Sequence, residues 1–273
     1  MKRVASVLIP ILTAVLPACS DPVAPVDFSK YERSVFSQHG EDGVIEKIFE
    51  LIEPTGDSPF VIEFGAHDGV TNSNARNLIL NKGWSALLIE GDEKRAAELE
   101  KNYADYPNVT TLQAWIYPGN IEILFEENGA PREPDLMVID IDSNDYYVWR
   151  VMHEFRPKVV MIEAHPAFHP PQLMVINFHP MNYWTKGYSG ASLQSLYNLA
   201  KKKGYELIYS MSYGPNAFFV DKKYYDRFGI EDNSPATLFQ MWKAPKSKMS
   251  FSKGKEYLHV DAFKIKKRYI LDR

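Results

Sequence analysis

The chain has 273 residues, enough for one generous domain or a domain with tails. Hydrophobic residues make up 45% and charged residues 24%, a balance that supports a large core and excludes a chain too polar to fold. The net charge of −4 supplies no overall basic field, which argues against a nucleic-acid partner.

The first residues read as a targeting segment. Lys2 and Arg3 precede an apolar run from Val4 to Ala18, and the sole cysteine, Cys19, follows it. The run is short for a membrane span, which needs about 20 residues. It has the charge and length of a signal segment. Leu16-Pro17-Ala18-Cys19 also resembles a bacterial lipoprotein box, although Pro17 is unusual there. The plainer reading is an uncleaved apolar arm packed on the domain. With one cysteine, neither an internal disulfide nor a cysteine zinc site can form. The expected organisation is a signal or lipoprotein-type segment over residues 1–19, a linker over 20–35, one domain over 36–242 and a lysine-rich tail over 243–273. A working N-terminal segment implies membrane anchoring or export; otherwise the protein stays in the cytoplasm.

From Glu41, Val44, Ile45, Ile48, Phe49 and Ile52 recur at helical spacing. Phe60–Phe64 reads as a short buried strand. A glycine-containing turn and a helix near Asn74–Asn81 follow. Ser85–Glu90 is a second strand, and a charged helix runs from about Asp92 to Tyr103. Val109–Trp115 and Leu136–Ile141 are the third and fourth strands. A helix over Tyr146–Phe155 leads to a fifth strand, Lys158–Ala164. His165–Tyr188 is irregular and rich in proline, histidine and aromatics. Ala191–Lys203 is an amphipathic helix stopped by Gly204. Tyr205–Met211 and Asn216–Val220 read as a closing hairpin. Apolar strands alternating with helices predict an α/β, doubly wound parallel sheet. Such sheets bind ligands beyond the carboxyl ends of their strands.

Polar residues collect at those ends. Glu63-Phe64-Gly65-Ala66-His67-Asp68-Gly69 closes the first strand with a carboxylate and a glycine-flanked turn. It lacks the G-x-G-x-x-G spacing of dinucleotide sites, which disfavours a nicotinamide-dependent oxidoreductase. An acidic turn repels a pyrophosphate and suits a cationic ligand bearing an amino group. Glu90 ends the second strand, where ribose hydroxyls are held in this architecture. Its simpler role is a helix-terminal carboxylate. Asp140-Ile141-Asp142-Ser143-Asn144-Asp145 follows the fourth strand and Glu163-Ala164-His165 the fifth. If these strands pair, Asp140, Asp142 and Glu163 converge. Three buried carboxylates require compensation. An amine-bearing cofactor, a divalent metal with oxygen ligands or a base with a raised pKa would each provide it. Asp145 reads most simply as a cap of the next helix.

Several of these runs resemble the FkbM-type methyltransferase family. They are Ser37-Gln38-His39-Gly40-Glu41-Asp42-Gly43, the turn Glu63–Gly69 with Ser73-Asn74, Gly83-Trp84, Ile89-Glu90, Asp140–Asp145 and Gly190-Ala191-Ser192-Leu193. The resemblance spans about Ser37 to Val220. It implies a class I methyltransferase (Rossmann-like) fold with a mostly parallel seven-stranded sheet and a closing antiparallel strand. It implies S-adenosylmethionine as methyl donor and O-methylation of a sugar or small metabolite. It places the methionine moiety at Glu63, Gly65 and Asp68, with Gly69, Ser73 and Asn74 beside them. It places the ribose at Glu90 and cofactor or substrate contacts at Asp140 and Asp142. Gln38 and Asp42 match the family motif without an assigned role. His67 departs from residues usually small or polar, and the N-terminal segment is not expected of the family.

Asp142, Glu163 and His165 are the candidate bases for a hydroxyl acceptor, Asp142 first because it lies one strand period beyond Asp140. His165, His169 and His179, with Phe168, Phe178, Tyr183 and Trp184, suggest a lid over a small-molecule or carbohydrate acceptor. No usual zinc spacing occurs among them, so a metal is the less favoured compensation. Lysines 246, 248, 253, 255, 264, 266 and 267 read as a solvated tail rather than a membrane-headgroup contact. The competing function is a non-catalytic ligand-binding module on the same fold.

Overall fold

The computed structural model describes residues 23–179, 189–241, 256–261 and 264–270. The expected targeting segment, Tyr183 and Trp184 lie outside them. Among the described residues no helix is long and apolar enough to cross a membrane.

A 3-10 helix, Phe28–Tyr31, precedes α1 (Glu41–Ile52). Then β1 (Phe60–Phe64), α2 (Arg76–Lys82), β2 (Ser85–Glu90), α3 (Glu93–Tyr103) and β3 (Val109–Gln113) follow. Next come α4 (Ile121–Glu127), β4 (Leu136–Ile139), α5 (Asp145–Val151), β5 (Val159–Glu163) and β6 (Met174–Ile176). The chain continues with α6 (Leu193–Lys203), β7 (Tyr205–Ser210), β8 (Asn216–Asp221) and α7 (Pro235–Leu238). It closes with β9 (Glu256–Asp261) and β10 (Lys264–Ile270).

Seven strands form one sheet in the order β3-β2-β1-β4-β5-β8-β7. Strands β1 to β5 are parallel, and β8 runs antiparallel between β5 and β7. This is the doubly wound, Rossmann-like, mostly parallel seven-stranded sheet that was expected, and the strand order reverses between β1 and β4. Apolar residues alternate between two cores because successive strand side chains face opposite ways. Ile62, Phe64, Leu87, Ile89, Met137 and Ile139 face α4, α5 and α6, against Phe125, Trp149 and Leu196. Val61, Ala86, Leu88, Leu136 and Val138 face α1, α2 and α3, against Ile45, Ile48, Leu78 and Leu99.

Local chemistry sets the ends of these elements. Asp92 caps α3 by accepting from the Lys94 and Arg95 amides. Ser192 caps α6, and Gly204 in the left-handed region ends it. At the amino end of β4, Asp135 accepts from the Thr55 and Phe60 amides and the Thr55 hydroxyl, and pairs with Lys158 at 2.9 Å.

Three expectations need correction. Helix α4 has no counterpart among the expected elements, because its seven residues are too few to display a helical period. The lysine-rich tail contains two strands, while Lys246, Lys248, Lys253 and Lys255 lie outside the described residues. Strands β9 and β10 pair, and β9 joins β6, which itself interrupts the stretch expected to be irregular. Tyr257 packs with Phe168, Met174 and Ile176. The stretch expected to be a linker is largely exposed but anchored at Val26 and Phe28. Phe28 is buried against Tyr209 and Phe228, and the Val26 amide donates to the Phe228 carbonyl.

Candidate functional site

A cavity of about 690 Å³ opens at the carboxyl ends of β1, β2 and β4. That size lies within the range of small-molecule sites. Its walls include Glu41, Glu63, Gly65, Glu90, Asp140 and Asp142, with Trp115 and Tyr117 at its edge. Arg95 is the one arginine or lysine among the described lining residues.

The turn after β1 is shaped from within. Gly65 has φ +79°, and a Cβ there would lie 1.6 Å from the Asp140 carbonyl oxygen. Only glycine lets the turn pass so close to the end of β4. Glu63 is buried, and its carboxylate accepts from the Ser73 hydroxyl and from the Asn74 and Ala75 amides. It therefore holds the loop leading into α2. Burial raises its pKa, and those donors oppose the rise. Glu90 accepts one amide on each oxygen, from His67 at 2.8 Å and from Asp92 at 2.8 Å. His67 lies in the left-handed region at φ 53°, and its backbone amide, not its imidazole, is what reaches Glu90.

The run Ser37–Gly43 builds the adjoining wall. Asp42 accepts from the Val35, Phe36 and Ser37 amides on one oxygen. The Asp42 amide donates back to the Ser37 hydroxyl. Asp42 thus folds the loop that brings Gln38 and Glu41 to the cavity. Glu41 accepts from the His39 amide and from Asn216 Nδ2 on β8.

The third wall is acidic. Oxygens of Asp140, Asp142 and Glu163 lie within 4.8 Å of one another, so the expected convergence of β4 and β5 occurs. Burial raises the Asp140 pKa well above the carboxylate range, and Asp142, Asp145, Glu63 and Glu41 push it further. Burial, then Asp140, Asp142 and Asp145, do the same to Glu163. Asp142 is raised by burial, with Arg95 opposing, and sits at φ 57°. Asp145 accepts from the Ile141 and Ser143 amides, so it shapes the turn before α5, and burial lifts it to about 7.

Some expected site residues stand elsewhere. Asp68 does not border the cavity: its carboxylate accepts from the Val70 and Thr71 amides and the Thr71 hydroxyl. Those donors outweigh its burial and lower its pKa to about 2. Gly69 packs beneath, where a Cβ would meet Leu99 and Tyr103 at 2.5 Å. His165 is buried against Phe168, with ring centroids 4.7 Å apart, and burial lowers its pKa to about 4. It borders the β6–β9 cluster and not the cavity, which removes it as a base there. Ser73 and Asn74 do line the cavity.

Sequence reasoning missed Glu41, Trp115 and Asn216. Trp115 packs over Gly91, where a Cβ would lie 2.5 Å from the indole, and remains 54% exposed. Its signal was an aromatic at the carboxyl end of the third strand. Asn216 carried none, since its place depends on the antiparallel pairing with Glu163.

No protein-family model matches the chain, and no curated protein matches its sequence. Solved structures resemble it in backbone. The CMeT domain of the citrinin polyketide synthase shares 10% identity over 66% of this chain and 51% of that one, with a TM-score of 0.43. The N-terminal domain of EvdMO1, solved in the presence of SAH and D-fucose, shares 14% over 66% and 80%, with a TM-score of 0.41. The glycopeptide N-methyltransferase MtfA, complexed with S-adenosylmethionine, shares 13% over 68% and 94%, with a TM-score of 0.40. The chain spans about half the length of the first of these. S-adenosylmethionine-dependent methyltransferases thus recur among its structural neighbours.

Proposed function

We propose that this chain is an S-adenosylmethionine-dependent methyltransferase of the FkbM type that methylates a hydroxyl of a sugar or small metabolite. The observation that carries the reading is the chemistry of the cavity wall. Its charged groups are mostly carboxylates: those of Glu41, Glu63, Glu90, Asp92, Asp140 and Asp142 line it with one arginine, Arg95. Asn74, Asn144 and Asn216 each add a buried amide oxygen with no hydrogen-bond partner. Such a wall suits a ligand carrying an ammonium and a sulfonium, and opposes a phosphate-bearing one.

In this reading Glu90 holds the ribose hydroxyls, with each oxygen keeping acceptor capacity beyond its single amide. Trp115 and Ile116 offer apolar surface beside it for a flat ring. Asn74 and the turn at Gly65, which also line the cavity, would hold the amino-acid end. When bound, the cofactor supplies an already activated methyl group. The remaining work of the protein is to align the acceptor and exclude water. Asp142 borders the cavity and has a raised pKa, which suits it to take the hydroxyl proton on its carboxylate. An oxygen of Glu163 lies within 4.8 Å of that carboxylate.

Calorimetric titration of the full chain with S-adenosylmethionine and S-adenosylhomocysteine tests this reading. The expected result is micromolar binding of both, weakened at least about tenfold by Glu90→Ala, a loss of about 1.4 kcal/mol. Absence of binding by well-folded protein overturns it and leaves the non-catalytic module as the better account.

A further inference from the structure

Three carboxylates meeting in a buried place need a positive partner, and the described structure provides little of one. Among the described residues Arg95 acts on Asp142, whereas the charges that weigh most on Asp140 and Glu163 are other carboxylates. The same place holds oxygens with no hydrogen-bond donor. Glu163 Oε2 is one. Asn216 is 5% exposed, and its Oδ1 has no partner, while its Nδ2 is turned to Glu41. Asn216 is the cross-strand neighbour of Glu163, so both side chains project from one face of the sheet. Asn144 is 3% exposed and repeats the pattern, with Nδ2 turned to the His179 carbonyl and Oδ1 unpartnered. Asn144 and Asn216 border the same cavity as Asp140 and Asp142. Leaving buried amide oxygens unpaired is costly unless a ligand satisfies them.

We infer that Asp140, Asp142 and Glu163 form the carboxylate face of a binding site for a hard divalent cation, with the Asn216 amide oxygen beside them. The donor set is all oxygen, which selects magnesium, manganese or calcium over softer ions. Its dimensions allow calcium, the largest of these ions. Oxygens bound about 2.3–2.6 Å from calcium lie at most about 5 Å apart, and the three carboxylate oxygens fall within 4.8 Å. The ion would neutralise the rim and retain coordination positions for water or a hydroxyl. The site shares Asp140 and Asp142 with the methyltransferase reading, and with the ion bound Asp142 and Glu163 would be ligands rather than proton acceptors; an assay without cofactor keeps the two readings distinguishable.

The test uses the full chain stripped with chelator and assayed without cofactor. Manganese(II) is titrated in while the electron-paramagnetic signal of free aqueous ion is followed, and calcium is titrated by calorimetry. The expected result is one ion per chain with a Kd below about 1 mM, in the range of modest oxygen sites. Glu163→Gln and Asp142→Asn should each weaken binding at least tenfold while circular dichroism stays native. Saturating manganese should raise the melting temperature of the parent protein and not of the variants. Absence of saturable binding by folded parent protein overturns the inference. So does binding of equal strength in both variants, which would identify an adventitious ion elsewhere. S-adenosylmethionine binding, measured separately in the metal-free protein, reports on the other reading alone.

Discussion

Strand β4 is four residues long and has an aspartate at each end, and the two are treated in opposite ways. Asp135, at the amino end, is 1% exposed and fully partnered, by Lys158 at 2.9 Å and by three donors from Thr55 and Phe60. Asp140, just past the carboxyl end, faces Asp142 and Glu163, and its pKa is driven upward. One residue type thus does two jobs a strand's length apart. At one end the chain supplies the counter-charge and gains a structural tie. At the other it withholds it, and a ligand is left to supply it. A buried pair broken by removing one partner is strongly destabilising, whereas relief of like-charge crowding is not.

The largest expected effect follows from the amino end. Asp135→Ala leaves the mostly buried Lys158 ammonium without its counter-charge, with the Glu53 carbonyl still accepting from it, and strands the Thr55 and Phe60 amides. Unfolding in urea should show a loss of about 3–5 kcal/mol. A loss under 1 kcal/mol would mean that the tie is ornamental and the comparison between the two ends has no energetic content.

Most of the frame of this comparison was legible in the sequence. The apolar runs at Phe60–Phe64 and Ser85–Glu90 form strands where expected, and the run expected over Leu136–Ile141 forms one that stops at Ile139. Carboxylates that follow such runs must emerge at the sheet's carboxyl edge, so Glu63, Glu90 and Asp140 could be placed together. What each carboxylate does there was not legible. Asp68 and Glu63 look alike in sequence, yet Asp68 spends its oxygens on its own turn while Glu63 holds a loop ten residues away. His165 follows Glu163 by two residues but is drawn into an aromatic cluster by Phe168 and Tyr257, the latter from a strand ninety-two residues later. Such long-range pairings, like those of Asn216 and of β9 with β6, leave no local pattern to read.

The carboxyl end should respond with the opposite sign. Glu163→Gln removes one of the three crowded charges without changing the side chain's shape. In metal-free protein it should leave stability unchanged or raise it by about 1 kcal/mol, since one pKa unit is worth about 1.4 kcal/mol. A loss comparable to that of Asp135→Ala would show that Glu163 is a structural tie as well, and the two ends would no longer differ in kind.

The smallest effect sharpens the comparison by separating position from partnership. Asp68 also lies near the carboxyl edge, but it is well supplied with donors, and its pKa is lowered to about 2 from an ordinary 3.8. A carboxylate depressed on folding contributes stability above its unfolded pKa and loses it as pH falls through the folded one. Asp68→Asn should therefore lower stability by about 1 kcal/mol at neutral pH, the value of hydrogen bonds to a partly exposed charged group. That deficit should hold down to about pH 4 and close as pH falls to about 2, where the parent carboxyl is also protonated. Melting temperatures of the two proteins across that range check it. A deficit that persists undiminished at pH 2 would mean the loop depends on the shape of the side chain and not its charge. Donors, rather than location along the rim, would then have to be tested residue by residue before the acidic edge is divided into tied and waiting carboxylates.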